Sequence, residues 1–369
     1  MKILITHLKP LKNIGGIETY GVNLINNLKG DIYFLHSKRN HSNKIRKEKI
    51  GNKIVKVLEY EMPWVSVNKK YQYPILHQKA YSDKLKEFIN CYGDFDLIIC
   101  LHSIFPEPSS KVSKGKIIFI MPSCNRAWFK KIKNEAPKEE AKTWKIHIKI
   151  ERRILANPKI KVIILSKFMK QLLKKSYPKI NAKLKVVYPG VAVKLRYQKK
   201  TLDVLSVARL DPIKNFPAFL KVASILPNRK FIIVGEGLDR QRLEKIISEK
   251  DIRNVRLVGG KKDPSNYYAS AKVFVLTSKY ESFGLVLIEA MAYGLPCIAF
   301  KPNGKKIETA SKEIIKNGET GFLVKDEKEM ASKITLLLND GRLRERLGIN
   351  ARKEARKYNW KKTCRSLLL

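Results

Sequence analysis

Two glutamates with seven residues between them bracket the stretch Glu281-Ser-Phe-Gly-Leu-Val-Leu-Ile-Glu289. Carboxylates accept hydrogen bonds from hydroxyls, so the pair suits a sugar or a ribose better than a phosphate. Between them, Gly284 lets a ligand approach the backbone closely. A helix starting behind it would turn the amides of Leu285 and Val286 toward an anion, with Phe283 alongside. A second charged set, Arg209 and Lys214, lies in Asp203-Val-Leu-Ser-Val-Ala-Arg-Leu-Asp-Pro-Ile-Lys-Asn215. A guanidinium fork and an ammonium point charge suit a diphosphate. Two carboxylates alone would also serve a glycosidase, but that chemistry needs no diphosphate cations.

These residues need a sheet edge to hold them. Ala271–Ser278 reads as a buried strand. Leu285, Ile288, Met291 and Ala292 then recur at helical spacing, Gly294-Leu-Pro296 stops the helix, and Pro296–Phe300 is the next strand. Such a βαβ unit puts a helix N-terminus at the carboxyl edge of a parallel sheet. Asp203–Ala208 is likewise a strand that delivers Arg209 and Lys214 to a loop before a helix near Phe216. Phe231-Ile-Ile-Val-Gly-Glu-Gly237 runs a strand into a glycine loop, in which Gly235 is either a ligand contact or a tight turn.

The chain opens in the same way. Lys2–Thr6 is a strand, and Gly15 and Gly16 precede a helix with Val22, Leu24, Ile25 and Leu28 on one face. Strands at Ile32–His36 and Ile54–Leu58 flank a charged loop over His41–Lys53. Tyr60–Gln78, rich in aromatic and basic residues, is either core or an interfacial surface. Ala80–Cys91 reads as a helix. Asp94–His102 then brings His102 to the sheet edge as an acceptor contact, a general base or a structural residue, and Lys116–Met121 leads to Pro122-Ser-Cys-Asn-Arg126.

The Glu281–Glu289 stretch with Glu-Ala-Met-Ala-x-Gly-x-Pro after it resembles the nucleotide-sugar glycosyltransferases of family four. The loop Arg209-Leu-x-Pro-x-Lys214 and the opening Gly15-Gly-x-Glu18 extend the resemblance over most of the chain. It implies an α/β protein with two Rossmann-like, doubly wound domains facing across a cleft, the GT-B fold. The domains are expected at 1–193 (acceptor) and 201–345 (nucleotide-sugar donor), with 346–369 as a terminal helix crossing back and Lys194–Thr201 as linker. It further implies transfer of a sugar to an acceptor hydroxyl with retention and without cofactor or metal. Glu281, Arg209 and Lys214 would carry the reaction. Gly15, Gly16, Gly235, Phe283, Gly284, Leu285, Val286 and Glu289 would bind the donor, Glu289 through the ribose. Relatives place a histidine in the 122–126 loop. This chain has none, which leaves His102, Ser123, Asn125 and Arg126 as acceptor-side candidates. Pro302–Glu308 also departs from the pattern, so part of the donor pocket is expected to be rebuilt.

Lys and Arg outnumber Asp and Glu by 76 to 33, a net charge of +43. Residues 101–200 concentrate it, with 26 Lys and Arg against five Glu and no Asp. Attraction to anionic lipid is one reading and a lysine-rich solvated surface the other, with nucleic acid a distant third. Lys130–Leu155, where isoleucines and Trp144 interleave with Lys and Arg, is the candidate membrane-facing segment. No apolar run approaches the roughly twenty residues that span a bilayer, and Met1–Thr6 is too short for a signal core. The expected setting is cytoplasmic, with peripheral attachment to the inner face of a membrane. Expected partners are a nucleotide sugar, a glycan, glycolipid or lipid acceptor, and an anionic membrane surface. Five cysteines without a C-x-x-C and six histidines without ligand spacing argue against disulfides and structural zinc. The competing reading is a catalytically impaired protein of the same fold that binds membranes or polyanions.

Overall fold

The computed structural model describes residues 1–11, 15–39, 45–63, 72–132, 138–180, 182–191 and 200–369. Contacts divide the chain into Met1–Tyr188 with Thr363–Leu369, and Pro189–Lys362. The expected linker lies almost wholly outside the described residues.

In the first unit the strands are β1 (Lys2–Thr6), β2 (Asp31–Lys38), β3 (Arg46–Ile50), β4 (Lys53–Glu61), β5 (Leu97–Cys100), β6 (Lys116–Met121), β7 (Ile160–Ile164) and β8 (Leu184–Val186), ordered β3-β4-β2-β1-β5-β6-β7-β8. All pair in parallel except β3, which is antiparallel to β4. Parallel strands are covered on both faces and read as unbroken apolar runs; Leu97–Cys100 is buried throughout. β3 corrects the charged loop expected over His41–Lys53. Its run Arg46-Lys-Glu-Lys-Ile50 lacks that apolar signature because an edge strand pairs on one side only. The helix read at Ala80–Cys91 spans Tyr73–Tyr92; residues 64–71 of the aromatic stretch lie outside the described residues.

The second unit continues with β9 (Leu202–Val207), β10 (Phe231–Val234), β11 (Val255–Leu257), β12 (Ala271–Leu276), β13 (Tyr280–Glu281), β14 (Cys297–Phe300), β15 (Glu308–Thr309) and β16 (Gly321–Val324). Six of these form an all-parallel sheet, β11-β10-β9-β12-β14-β16, and β13 pairs β15 separately. Its core gathers Phe216, Phe219, Phe231, Val273 and Val275, each burial contributing about 1.5–3 kcal/mol. The C-terminal region forms two helices. Gly341–Ala355 stays within this unit, whereas Trp360–Leu368 ends among the residues grouped with the first.

Both sheets are doubly wound. The strand order reverses between β1 and β5 in one and between β9 and β12 in the other, and such switch points open a crevice at the carboxyl ends of the strands.

Candidate functional site

In the second unit the switch point assembles what the sequence separates. Arg209 and Lys214 follow β9, Glu281 follows β12, and these strands are neighbours. Their loops are laced together: the Lys279 amide donates to the Ile213 carbonyl at 2.8 Å, and the Thr277 hydroxyl to the Lys214 carbonyl at 2.9 Å. Lys214 sits at the end of a 3-10 turn, Pro212–Lys214, closed by Asn215 at φ 54°, a left-handed position that Asn tolerates. Lys214 Nζ donates to Glu281 Oε1 at 2.6 Å, and Ser278 Oγ to the same oxygen at 2.9 Å. The side chains of the pair are only 18% and 13% exposed. Glu281 Oε2 meets no partner among the described residues.

Arg209 is not part of this contact. Its Nη2 pairs with Asp211 Oδ2 at 2.8 Å, and its side chain is 64% exposed.

The helix start lies on the same edge. Gly284 caps Leu285–Ala292 at φ 99°, a left-handed backbone that strains any residue with a side chain. Leu285 and Val286 precede the first in-helix donor, the Leu287 amide to the Gly284 carbonyl at 2.9 Å, so their amides are orphans of the helix. Phe283 is buried and packs edge-on against Tyr358 at 5.6 Å. Glu289 accepts from the Tyr268 hydroxyl at 2.9 Å, and burial pushes its carboxyl pKa up. Tyr268, which in turn stacks on Tyr293 at 5.5 Å, is a site residue that sequence reasoning missed; its only signal is a Tyr-Tyr pair before β12.

Gly235 has a packing reason of its own. A Cβ there would collide with the Ala208 carbonyl, because this loop and the one carrying Arg209 are tied by Leu210 N–H to the Glu236 carbonyl and Asp239 N–H to the Leu210 carbonyl, both at 2.9 Å. The divergent 302–308 loop closes on itself: Asn303 Oδ1 accepts from the amides of Lys305, Lys306 and Ile307 at 3.1, 3.0 and 3.0 Å. It leads into β15 and is thereby tethered to Glu281, whose carbonyl accepts from the Ala310 amide at 2.9 Å.

In the first unit the corresponding edge is chemically different. Gly15 caps the helix Gly16–Asn27, and the Glu18 carboxylate folds over it where a Gly15 side chain would lie. The helix's own acid thus occupies the terminus expected to face a phosphate. His102 follows β5, its ring 5.8 Å from that of His147. Burial, with His147 and His7 nearby, holds its pKa well below the ordinary value, and His147 is lowered to about 4 by burial. Both rings are neutral at physiological pH.

Ser123, Asn125 and Arg126 follow β6, and a residue not singled out from the sequence organises them. Glu151, 1% exposed, accepts from the Asn125 amide at 2.8 Å, the Tyr177 hydroxyl at 2.7 Å and the Cys124 thiol at 3.7 Å. Burial raises its pKa to about 7. Arg126 stacks its guanidinium over Tyr177 at 5.3 Å. The signal for Glu151 was its place between Ile150 and Ile154, both buried on the inward face of Lys138–Ala156.

That inward packing also revises the membrane-facing segment, which is two helices, Asn125–Ile132 and Lys138–Ala156. In the second, Ile150 and Ile154 are spent on the core, and Lys142, Lys145, Lys149, Arg152 and Arg153 are exposed. The outward face is basic rather than apolar. No helix among the described residues is long and apolar enough to cross a membrane. Asp94-Phe-Asp96, an Asp-x-Asp pair, lies at the amino end of β5. Asp94 there accepts from Ser113 at 2.6 Å and the Lys114 amide at 2.7 Å, and Asp96 from the Lys2 amide at 2.6 Å; both are loop ties.

Residues 192–354 match the family described as Glycosyl transferases group 1. The sulfoquinovosyl transferase SQD2 of Arabidopsis thaliana is 34% identical over 161 residues, 43% of this chain and 31% of that protein. The chain spans less than half the length of SQD2 and of other curated relatives that it matches. Among solved structures, sucrose-phosphate synthase from Thermosynechococcus elongatus superposes with a TM-score of 0.80 at 19% identity, covering 99% of this chain and 96% of that one. Anabaena HepE in complex with UDP and glucose gives 0.74 at 16% identity, covering 100% and 98%. At such identities the likeness is one of fold: two Rossmann-like units, the GT-B architecture.

Proposed function

We propose that this protein is a glycosyltransferase, a reading supported by the match of residues 192–354 to the family described as Glycosyl transferases group 1. It moves a sugar from a nucleoside diphosphate sugar, bound by the second unit, to an acceptor hydroxyl presented by the first. The observation that carries the reading is the Lys214–Glu281 contact of 2.6 Å at the switch point beside Gly284.

A cation and a carboxylate held together, with one carboxylate oxygen unpartnered among the described residues, are matched to a ligand that brings both phosphate and hydroxyl groups. Lys214, the Leu285 and Val286 amides and the exposed Arg209 take the diphosphate and stabilise the charge that develops on it as it leaves. Glu281 accepts from sugar hydroxyls through Oε2, and Glu289, oriented by Tyr268, from the ribose. The acceptor oxygen bonds to the anomeric carbon, the bond from that carbon to the diphosphate breaks, and the acceptor's proton passes to a departing phosphate oxygen. The reading includes retention at the anomeric carbon and no metal, so chelator leaves the rate unchanged. HepE's complex with UDP makes the uridine series the first donor to try.

The acceptor is a glycan, glycolipid or lipid, and the basic face of Lys138–Ala156 draws the protein to anionic membranes by charge alone. Sedimentation with anionic vesicles should therefore fall steeply with salt; binding that ignores salt would remove this part of the reading.

Thermal unfolding against nucleoside diphosphates tests the core of it. A ligand at about a hundred times its Kd adds roughly 2.7 kcal/mol, and Lys214→Ala should abolish the shift. Absence of a shift with every base, or an unchanged shift in the variant, would overturn the donor site.

A further inference from the structure

The first unit carries a second concentration of charge that the reading above does not use. Where β2 and β4 end, beside the segment that follows β1, a depression of about 400 Å³ is lined by Lys9, Lys38, Arg39 and Arg46 against two carboxylates, Glu48 and Glu59. That volume lies within the range of small-molecule sites. The place is the carboxyl edge of the parallel sheet, where open α/β sheets receive ligands.

The floor is built rather than incidental. Glu59 is 2% exposed, and a buried carboxylate needs cations around it. Arg46 Nη2 lies 2.6 Å from Glu59 Oε1, Lys38 Nζ 3.5 Å and His36 Nε2 3.6 Å. Arg46 also reaches Glu48 at 3.4 Å. The Ser37 hydroxyl donates to the Leu8 carbonyl at 2.6 Å, and the Met62 amide to the Lys38 carbonyl at 3.0 Å, so the ends of β2 and β4 and the segment after β1 are tied together. Burial holds the His36 pKa below its ordinary value.

Both carboxylates are therefore engaged by Arg46 and Lys38, while Lys9 and Arg39 have no carboxylate partner among the described residues and stand exposed at the rim. Four cations facing two carboxylates leave an excess of two positive charges. A phosphomonoester carries nearly two negative charges and three acceptor oxygens, and arginine's fork fits it. We propose that this pocket binds a phosphoryl group, with Lys9 and Arg39 as the free cations that close on it. The charge argument stands without the transfer reading. Only the assignment of the group to the acceptor rests on that reading.

Equilibrium dialysis of the full chain against inorganic phosphate, glucose 6-phosphate and glucose tests this, in wild type and in Lys214→Ala, which removes the lysine assigned to the donor diphosphate. Lys9→Ala/Arg39→Ala should weaken phosphate binding at least tenfold in both backgrounds without changing the unfolding midpoint, since both residues are exposed. A Lys245→Ala/Lys250→Ala control, equal in charge but in the second unit, should leave it unchanged. Glucose 6-phosphate binding tighter than inorganic phosphate identifies an acceptor phosphoryl group; equal affinity, lost in the same variant, identifies free phosphate as the ligand. No binding, or equal losses in the control, would overturn the pocket. Loss only in Lys214→Ala would do the same while leaving the donor site intact. Phosphate binding that depends on Lys9 and Arg39, with no response to any nucleoside diphosphate, would sink the transfer reading instead.

Discussion

The switch point of the second sheet holds a charged pair, Lys214 against Glu281, whereas that of the first holds neutral histidines, His102 beside His147. Topology is the same at both places: a central strand, a reversal of order and helix N-termini along the carboxyl edge. The difference lies in what the loops bring. After β9 and β12 they carry opposite charges that satisfy each other while partly open to solvent. After β5 the site is closed by Phe105 and by His147 from the Lys138–Ala156 helix, and burial strips the charge from any group placed there. A parallel sheet thus determines where a site can be, and the degree of burial determines whether it works with charge or with neutral hydrogen bonds.

The largest expected effect breaks the charged side. Lys214→Ala should lower kcat/KM by about 10²–10³, roughly 2.7–4 kcal/mol of lost stabilisation of the developing charge, as read by initial rates with saturating acceptor. A drop below tenfold would show that the pair is structural and erase the contrast.

Next is the pH dependence of the neutral side. The Glu151 carboxyl is raised to about 7 by burial. Between about pH 4.5 and 7 the folded chain holds a proton that the unfolded chain has already lost, so this group's contribution to stability declines as pH rises through that window. Glu151→Gln lacks that slope. Relative to wild type the variant should gain stability from pH 5 to 7.5, by up to about 3 kcal/mol at 1.36 kcal/mol per pKa unit. Parallel denaturant midpoints across that range would contradict it.

Gly284→Ala comes third. At φ 99° a Cβ costs about 1–2 kcal/mol, seen as a lower midpoint and a weakened response to nucleoside diphosphate. Arg209→Ala is the smallest. Its pair with Asp211 is exposed, so stability should move by less than about 1 kcal/mol and only donor affinity should fall. A loss equal to that of Lys214→Ala would make the two cations a unit and redraw the site.

Much of the second unit was legible. Continuous apolar runs such as Ala271–Leu276 announced buried parallel strands, and Gly284 and Gly294-Leu-Pro296 marked the helix between them, because backbone conformations that favour glycine and helix stops are local properties. The first unit was less so. β3 reads as a charged loop because its pairing with β4 is not written in its own residues. The basic segment from Asn125 to Ala156 reads as one amphipathic stretch because periodicity reports that a face is apolar, not what covers it.

The order of residues by itself determined most of the strands, the helix start behind Gly284, and which side chains emerge at the carboxyl edge, since each depends on neighbours within a few positions. Only the tertiary structure decided who meets whom there. Lys214 and Glu281 are 67 positions apart and pair because β9 and β12 are adjacent. Glu151 caps the Asn125 helix because two helices pack together, and Glu59 draws Arg46 and Lys38 because β3, β4 and β2 end at one place. Charges interact through space, and the distances that give them strength are made only when the sheet closes.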